Sequence, residues 1–200
     1  MSKVYMLGSD GGVQAMERIR CKDEDKELQT LLLRNPQILP AEQIDPDNPP
    51  RWLLVKREMS VTDPASGAER WSIDFVFVDH MAVLTLVECK RCEDTRSRRE
   101  VVAQMLEYPA NGQHYWDAEQ LLASSQAAAG SAEDFARWIE ESGFDSPLAF
   151  FQAVEKNLKE SRMRLIFFLE ESPNELRSLV DFLNRQLTNT DVLLVEARQY

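Results

Sequence analysis

Long apolar runs are missing from this sequence. Nowhere do 18 apolar residues follow one another, so no transmembrane helix and no membrane partner are expected. Met1 to Gly12 also lacks a basic stretch followed by an apolar core, so no secretory signal is expected and the reading is a cytoplasmic protein. Cysteine is scarce: three residues, an odd number, fit a reducing compartment better than a disulfide framework. Cys89 and Cys92 form a CxxC, the spacing of a redox pair or half a zinc site. A zinc site would have to draw on Cys21, His80 and His114, none at paired spacing. A redox helix would begin at its first cysteine, whereas Cys89 falls in a strand. One buried strand cysteine and one loop cysteine is the favoured reading. Positive charge is short as well, with 23 Lys and Arg against 34 Asp and Glu, a net charge of −11. That argues against broad nonspecific nucleic-acid binding, which rests on phosphate neutralisation. Internal repeats and low-complexity segments are lacking too.

What is present is an ordinary globular composition, 44% hydrophobic and 28% charged. Two hundred residues suit a single domain over 1–200 with a proper core. Residues 1–22 read as a short hairpin or arm. Asp23-Glu24-Asp25 opens a helix over 23–35, with Leu28, Leu31 and Leu32 as its core stripe and Asn35-Pro36 as its stop. Five prolines between 36 and 51 mark an irregular connection, followed by a strand over 52–59 and a turn at Asp63–Gly67. Residues 115–160 read as a helical insertion, with helices near Ala118–Ala128, Ala132–Glu141 and Leu148–Ser161. Its aromatic residues are expected to pack against one another and the sheet. A strand near 163–169, a helix opened by Pro173 and a strand near 191–197 form a βαβ unit, which implies a parallel pair.

The centre of the chain is Trp71 to Tyr108: a strand over 71–78, a tight turn at Asp79-His80, a strand over 82–90 and a helix over 96–108. The run Val83–Val87 is apolar on both faces, as in a central strand covered on both sides. Asp74 lies in the first strand, Glu88 and Lys90 share a face of the second, and Cys89 points away. Asp74 and Glu88 share a face only if paired residue numbers sum to an even value. A three-residue loop, Asp79-His80-Met81, sets Asp74 opposite Leu86 and Glu88 on the adjacent diagonal, ~7–8 Å away. A two-residue turn would set them on opposite faces. Two charges at the end of an apolar strand need compensation, and a divalent cation held by Asp74 and Glu88 would supply it. Lys90, Arg91, Arg96, Arg98 and Arg99 form a local basic rim, read equally well as a place for phosphates or as a solvated loop and helical turn.

Asp74 followed by Glu88-Cys89-Lys90 at a strand end resembles the D…ExK signature of the PD-(D/E)xK nuclease superfamily. Gln104 to Tyr108 resembles the QxxxY helix motif of its RecB-like and NucS-type endonuclease branches. Glu27-Leu28-Gln29 before Asn35-Pro36 is similar to the first helix of that fold, Arg51 to Glu58 to its first strand, and residues 164–200 to the tail of bacterial proteins of this class. Pro109 departs from the pattern and is expected to end the helix early.

The resemblance implies an α/β, restriction-endonuclease-like mixed sheet flanked by helices, and a Mg²⁺- or Mn²⁺-dependent deoxyribonuclease, an endonuclease acting on DNA. The implied metal ligands are Asp74, Glu88 and the main-chain carbonyl of Cys89, all hard oxygens. Lys90 would orient the attacking water, Gln104 and Tyr108 would position the site, and Glu27 would add an outer-sphere ligand or simply face the helix dipole. Arg91, Arg96, Arg98 and Arg99 would meet the nucleic acid. A nuclease fold without catalysis, binding nucleic acid or protein, is the alternative, and a homodimer or further domains in a longer protein stay open. Crowded like charge further implies that Glu88→Ala and Lys90→Ala leave the thermal midpoint unchanged or raised.

Overall fold

The computed structural model describes residues 4–62, 69–91 and 97–200, with backbone alone at 62, 69–71 and 97–100. The expected turn at 63–67, together with Cys92 and Arg96, lies outside the described residues, as do the side chains of Arg98 and Arg99. The arm is a hairpin of β1 (Val4–Leu7) and β2 (Val13–Met16), standing apart from the main sheet with Tyr5, Leu7 and Val13 exposed. A single antiparallel bridge follows it, Ile19 donating to the Gln199 carbonyl at 3.0 Å.

The main sheet holds the five strands expected between 52 and 197: β3 (Trp52–Thr62), β4 (Glu69–Asp79), β5 (Leu84–Lys90), β6 (Met163–Leu169) and β7 (Thr190–Glu196). They lie in chain order, the first three antiparallel and the last three parallel, so the sheet is mixed. The first helix begins as a widened π turn at Glu24–Gln29 and continues as α1 (Thr30–Arg34). Short helical turns, including α2 (Ala41–Ile44), fill the proline-rich connection. Leu28, Leu32 and Leu39 of this segment cover the sheet face formed by Phe75, Phe77, Val87, Cys89, Ile166 and Phe168.

The other sheet face carries Val76, Val78, Leu84, Leu86 and Leu165 and packs under α3 (Ser97–Tyr115) and the insertion. Coverage on both sides explains why β5 and β6 are apolar throughout. The insertion comprises α4 (Ala118–Ala128), α5 (Ala132–Glu141) and α6 (Pro147–Lys159), each started by a side-chain cap from Asp117, Ser131 or Ser146. Its aromatic residues pack as expected: Phe150 meets Trp138, Phe144 and Phe151 edge-to-face, and Phe135, Phe150 and Phe151 are buried in the sheet core. Helix α7 (Asn174–Gln186) connects the parallel strands β6 and β7. Among the described residues no helix is long and apolar enough to cross a membrane.

Pro109 does not end the helix. It sits inside α3, which runs on to Tyr115. A proline forfeits one backbone hydrogen bond and crowds the preceding turn, yet Val101, Met105 and Tyr108 hold the helix to the sheet from before it. After it, the buried Trp116 ring lies against Gly112, and the Trp116 amide donates to the Gly112 carbonyl at 2.8 Å. A Cβ on Gly112 would stand 2.6 Å from Trp116 Cε3. Alanine is the better helix former by about 1 kcal/mol, but displacing a buried indole costs about 1–3 kcal/mol. Gly112→Ala is therefore expected to lower the melting temperature by a few degrees in a thermal scan, and an increase would show that the ring yields freely.

Candidate functional site

The site grows out of the place where two central strands part. Pairing of β4 with β5 runs from Val78↔Leu84 to Phe75↔Val87 and stops there. The same register carried one step further sets Asp74 across from Glu88. Paired numbers sum to an even value, so both residues lie on the face of Val76 and Leu86, under α3. The register nevertheless differs from expectation by two residues: Val76, not Asp74, is opposite Leu86. The cause is Asp79. Its fully buried carboxylate accepts from Met81 N at 2.9 Å and Val83 N at 3.0 Å and pairs with Arg164, while Asp79 N donates to the Val83 carbonyl at 3.1 Å, so the loop is His80-Met81-Ala82, one residue later than expected. Ala82, left-handed at φ 59°, completes that turn. Sliding the loop by one residue raises the paired sum by two and so preserves parity.

Beyond the last ladder pair, side chains take over the hydrogen bonding. Asp74 Oδ2 accepts from Cys89 N at 2.7 Å, and Asp74 Oδ1 accepts from Gln29 Nε2 at 2.9 Å. Lys90 Nζ lies 3.0 Å from Glu88 Oε1 and 3.2 Å from Glu24 Oε1, while Glu24 Oε2 accepts from Arg91 N at 3.1 Å. Asp74 and Glu88 are 7% and 3% exposed, so neither is hydrated as a free carboxylate would be. Burial, reinforced by the neighbouring Glu88, pushes Asp74 up to about 8, and burial likewise raises Glu88 against the pull of Lys90. The Lys90 ammonium is raised despite its burial, because Glu88, Glu24 and Asp74 surround it. Tyr108, buried on α3, donates its hydroxyl to the Ser72 carbonyl at 3.0 Å, and burial with the charges of Glu88 and Asp74 raises the phenol. Gln104 is half-buried one turn earlier on the same helix.

Compared with known proteins, the chain matches no family model, no curated protein and no solved structure.

Glu27 does not join the cluster. Its carboxylate turns back to accept from Lys22 N at 3.1 Å, and Glu24 stands against Lys90 instead. The reason is the π turn, in which Thr30 N donates to the Asp25 carbonyl. The i→i+5 bond widens the turn beyond 3.6 residues and shifts which side chains share a face, so that Glu24 and Gln29 both reach the strand fork. Nothing in the sequence marks such a turn, and Glu24, Gln29 and Arg57 were beyond reach of spacing rules. The Cys89 thiol points to the opposite sheet face, among Phe75, Phe77 and Phe168, where burial holds it well above the ordinary thiol range. Of the basic rim, Arg91 is described, and its guanidinium donates to the Lys22 carbonyl at 2.9 Å.

Among the described residues no three His, Cys, Asp or Glu side chains are arranged to hold a metal ion. The donor set here is instead two carboxylates and a main-chain carbonyl. Cys89 N faces Asp74, and in an extended strand the carbonyl of the same residue points to the same side. Glu88 Oε2 is buried and has no hydrogen-bond partner among the described residues. A buried carboxylate oxygen left unsatisfied costs about 1–3 kcal/mol or more, and a proton, a water or a cation could satisfy it. Few protein ligands and all-oxygen chemistry suit Mg²⁺ or Mn²⁺, which keep part of their water shell.

Proposed function

We infer that this protein is a divalent-cation-dependent nuclease of the PD-(D/E)xK kind, hydrolysing phosphodiester bonds in DNA. The observation that carries this reading is the unpartnered, buried Glu88 Oε2 beside Asp74, with Lys90 next on the same strand face. Asp74, Glu88 and the Cys89 carbonyl would hold Mg²⁺ or Mn²⁺, which when bound neutralises developing negative charge and acidifies water. Lys90 has three N–H donors, two of them directed at Glu88 and Glu24. The third has no partner among the described residues and would be left for an attacking water or a phosphate oxygen. Attack of that water forms one P–O bond and breaks the ester P–O bond; the water gives up a proton to solvent, and the departing alkoxide takes one up from solvent to leave as an alcohol. Tyr108, with its proton committed to Ser72, serves as a wall of the site rather than as an acid.

The test is a cleavage screen over supercoiled, linear duplex, single-stranded and branched DNA, with Mg²⁺ and with Mn²⁺, beside Glu88→Gln. Cleavage of at least one DNA class, lost in the variant, is the expected result. DNA bound but uncut under every condition would favour a binding module on the same fold, and neither binding nor cutting would remove DNA as the partner.

A further inference from the structure

Arg57 lies on the edge strand β3, paired with Phe75. Its guanidinium sits over the Phe75 ring, 5.8 Å from the centroid, on the sheet face covered by the first helix. Arg57 Nη2 donates to Gln29 Oε1 at 2.8 Å and pairs with Asp25 from the same helical turn. Gln29, 5% exposed, in turn donates from Nε2 to Asp74 Oδ1. A guanidinium carries donors only, so the carboxamide oxygen must face Arg57 and its NH₂ must face Asp74. The orientation of the Gln29 amide is thereby decided by its neighbours, and with Cys89 N on Oδ2 the Asp74 carboxylate is gripped at both oxygens.

Resting on the metal-dependent reading above, we propose that Arg57 is a positioning residue which, acting through Gln29, holds the Asp74 carboxylate in the orientation a divalent cation requires. Asp25 anchors the guanidinium, so the chain Asp25–Arg57–Gln29–Asp74 ties the edge strand and the first helix to the metal ligands. Groups that orient a ligand's second oxygen or nitrogen typically govern metal affinity by about 10–100-fold. Asp25 and Gln29, four residues apart in the first helix, reach the same guanidinium.

Two measurements decide it. In metal-free, ¹⁵N-labelled protein the Gln29 side-chain amide should resonate apart from the exposed amides and exchange slowly with solvent. In Arg57→Met, which keeps an aliphatic stem over Phe75, that resonance should move toward the exposed amides and its exchange should quicken. By calorimetry, Arg57→Met and Gln29→Ala should each weaken Mn²⁺ binding about tenfold. The double variant should be no weaker than Gln29→Ala alone, because the arginine acts through the amide, and Arg57→Lys should recover part of the loss. An unchanged Gln29 amide in Arg57→Met, or losses that add in the double variant, would overturn the proposal while leaving the nuclease reading intact. Wild-type protein that binds no Mn²⁺ would overturn the nuclease reading and the positioning of a metal ligand with it, while the amide signal separately reports the tie between Arg57 and Gln29.

Discussion

Lys90→Met and Glu88→Gln should both abolish cleavage, yet move thermal stability in opposite directions. Lys90 is the cation placed among three carboxylates, with Glu88 and Glu24 in direct contact and Asp74 close enough to act on it. Its loss leaves Glu88 and Glu24 without their shared cation in a site with little solvent, and removing one partner of a buried pair costs about 3–5 kcal/mol. At ~2–4 °C per kcal/mol for a chain of this size, the melting temperature should fall by on the order of 10 °C near neutral pH. Glu88 is the reverse case. Its raised pKa says that burial outweighs the attraction of Lys90, so its charge is a net burden on the folded state. Glutamine keeps an acceptor for Lys90 and removes that burden, and the midpoint should rise by a few degrees. The sequence alone suggested that Glu88→Ala and Lys90→Ala would leave stability unchanged or raised. Contacts from Glu24 to Lys90 change that expectation for the lysine. Differential scanning calorimetry of the two variants beside wild type checks it, and a rise in Lys90→Met would mean that the ammonium compensates nothing.

Stability should fall as pH rises from about 4 toward about 8, and divalent cation should restore it. Asp74 has an ordinary value of 3.8 and is pushed to about 8 in the folded chain. Across that window the folded state retains a proton that the unfolded chain has released, so unfolding gains favour with each step up in pH. The effect is absent below the unfolded value and complete above the folded one. Each unit of difference is worth about 1.4 kcal/mol, so the total is on the order of a few kcal/mol. Other carboxylates act oppositely: Glu196 and Glu155, held below their ordinary values by hydrogen bonds, add stability as pH rises. The site's share is therefore read as a difference. The stability of Glu88→Gln minus that of wild type should grow between pH 5 and pH 8, because the variant lacks one raised carboxylate and relieves the other. Mn²⁺ or Mg²⁺ at pH 7 should raise the midpoint of wild type and release protons, measurable by calorimetry in buffers of different ionisation enthalpy. A difference that stays flat, with no proton release, would show that the two carboxylates are already ionised.

Strands were legible because their residues had one plausible use. Val83–Val87 and Arg164–Leu169 are too apolar and too short for anything but covered central strands, and they pair in parallel as β5 and β6. The shared face of Asp74 and Glu88 was legible through parity alone, since only a sum of even numbers was required. The register itself was not. It depends on the Asp79 carboxylate folding back onto the turn, a side-chain contact that turn length statistics do not contain. The same holds for the first helix. A repeat of 3.6 residues placed Glu27 beside the core stripe, and one wide turn gave its place to Glu24. Local propensity alone makes Pro109 a helix end, but the buried face of Val101, Met105 and Tyr108 outlasts it. Gln29 and Arg57 are far apart in sequence from Asp74 and from each other, and only the assembled sheet brings them into line.

Where β4 and β5 separate, the amide of Cys89 finds the side chain of Asp74 in place of a backbone carbonyl. That carboxylate is thus a surrogate rung, carrying the sheet one step past the last true pair. An alanine there would do more than take away a charge. It would strand a buried peptide N–H at about 1–3 kcal/mol and free the end of the central strand that carries Glu88 and Lys90. A silent Asp74→Ala protein is consequently ambiguous between lost chemistry and a loosened strand, whereas Glu88, whose Oε2 is bonded to nothing in the described chain, offers the cleaner cut.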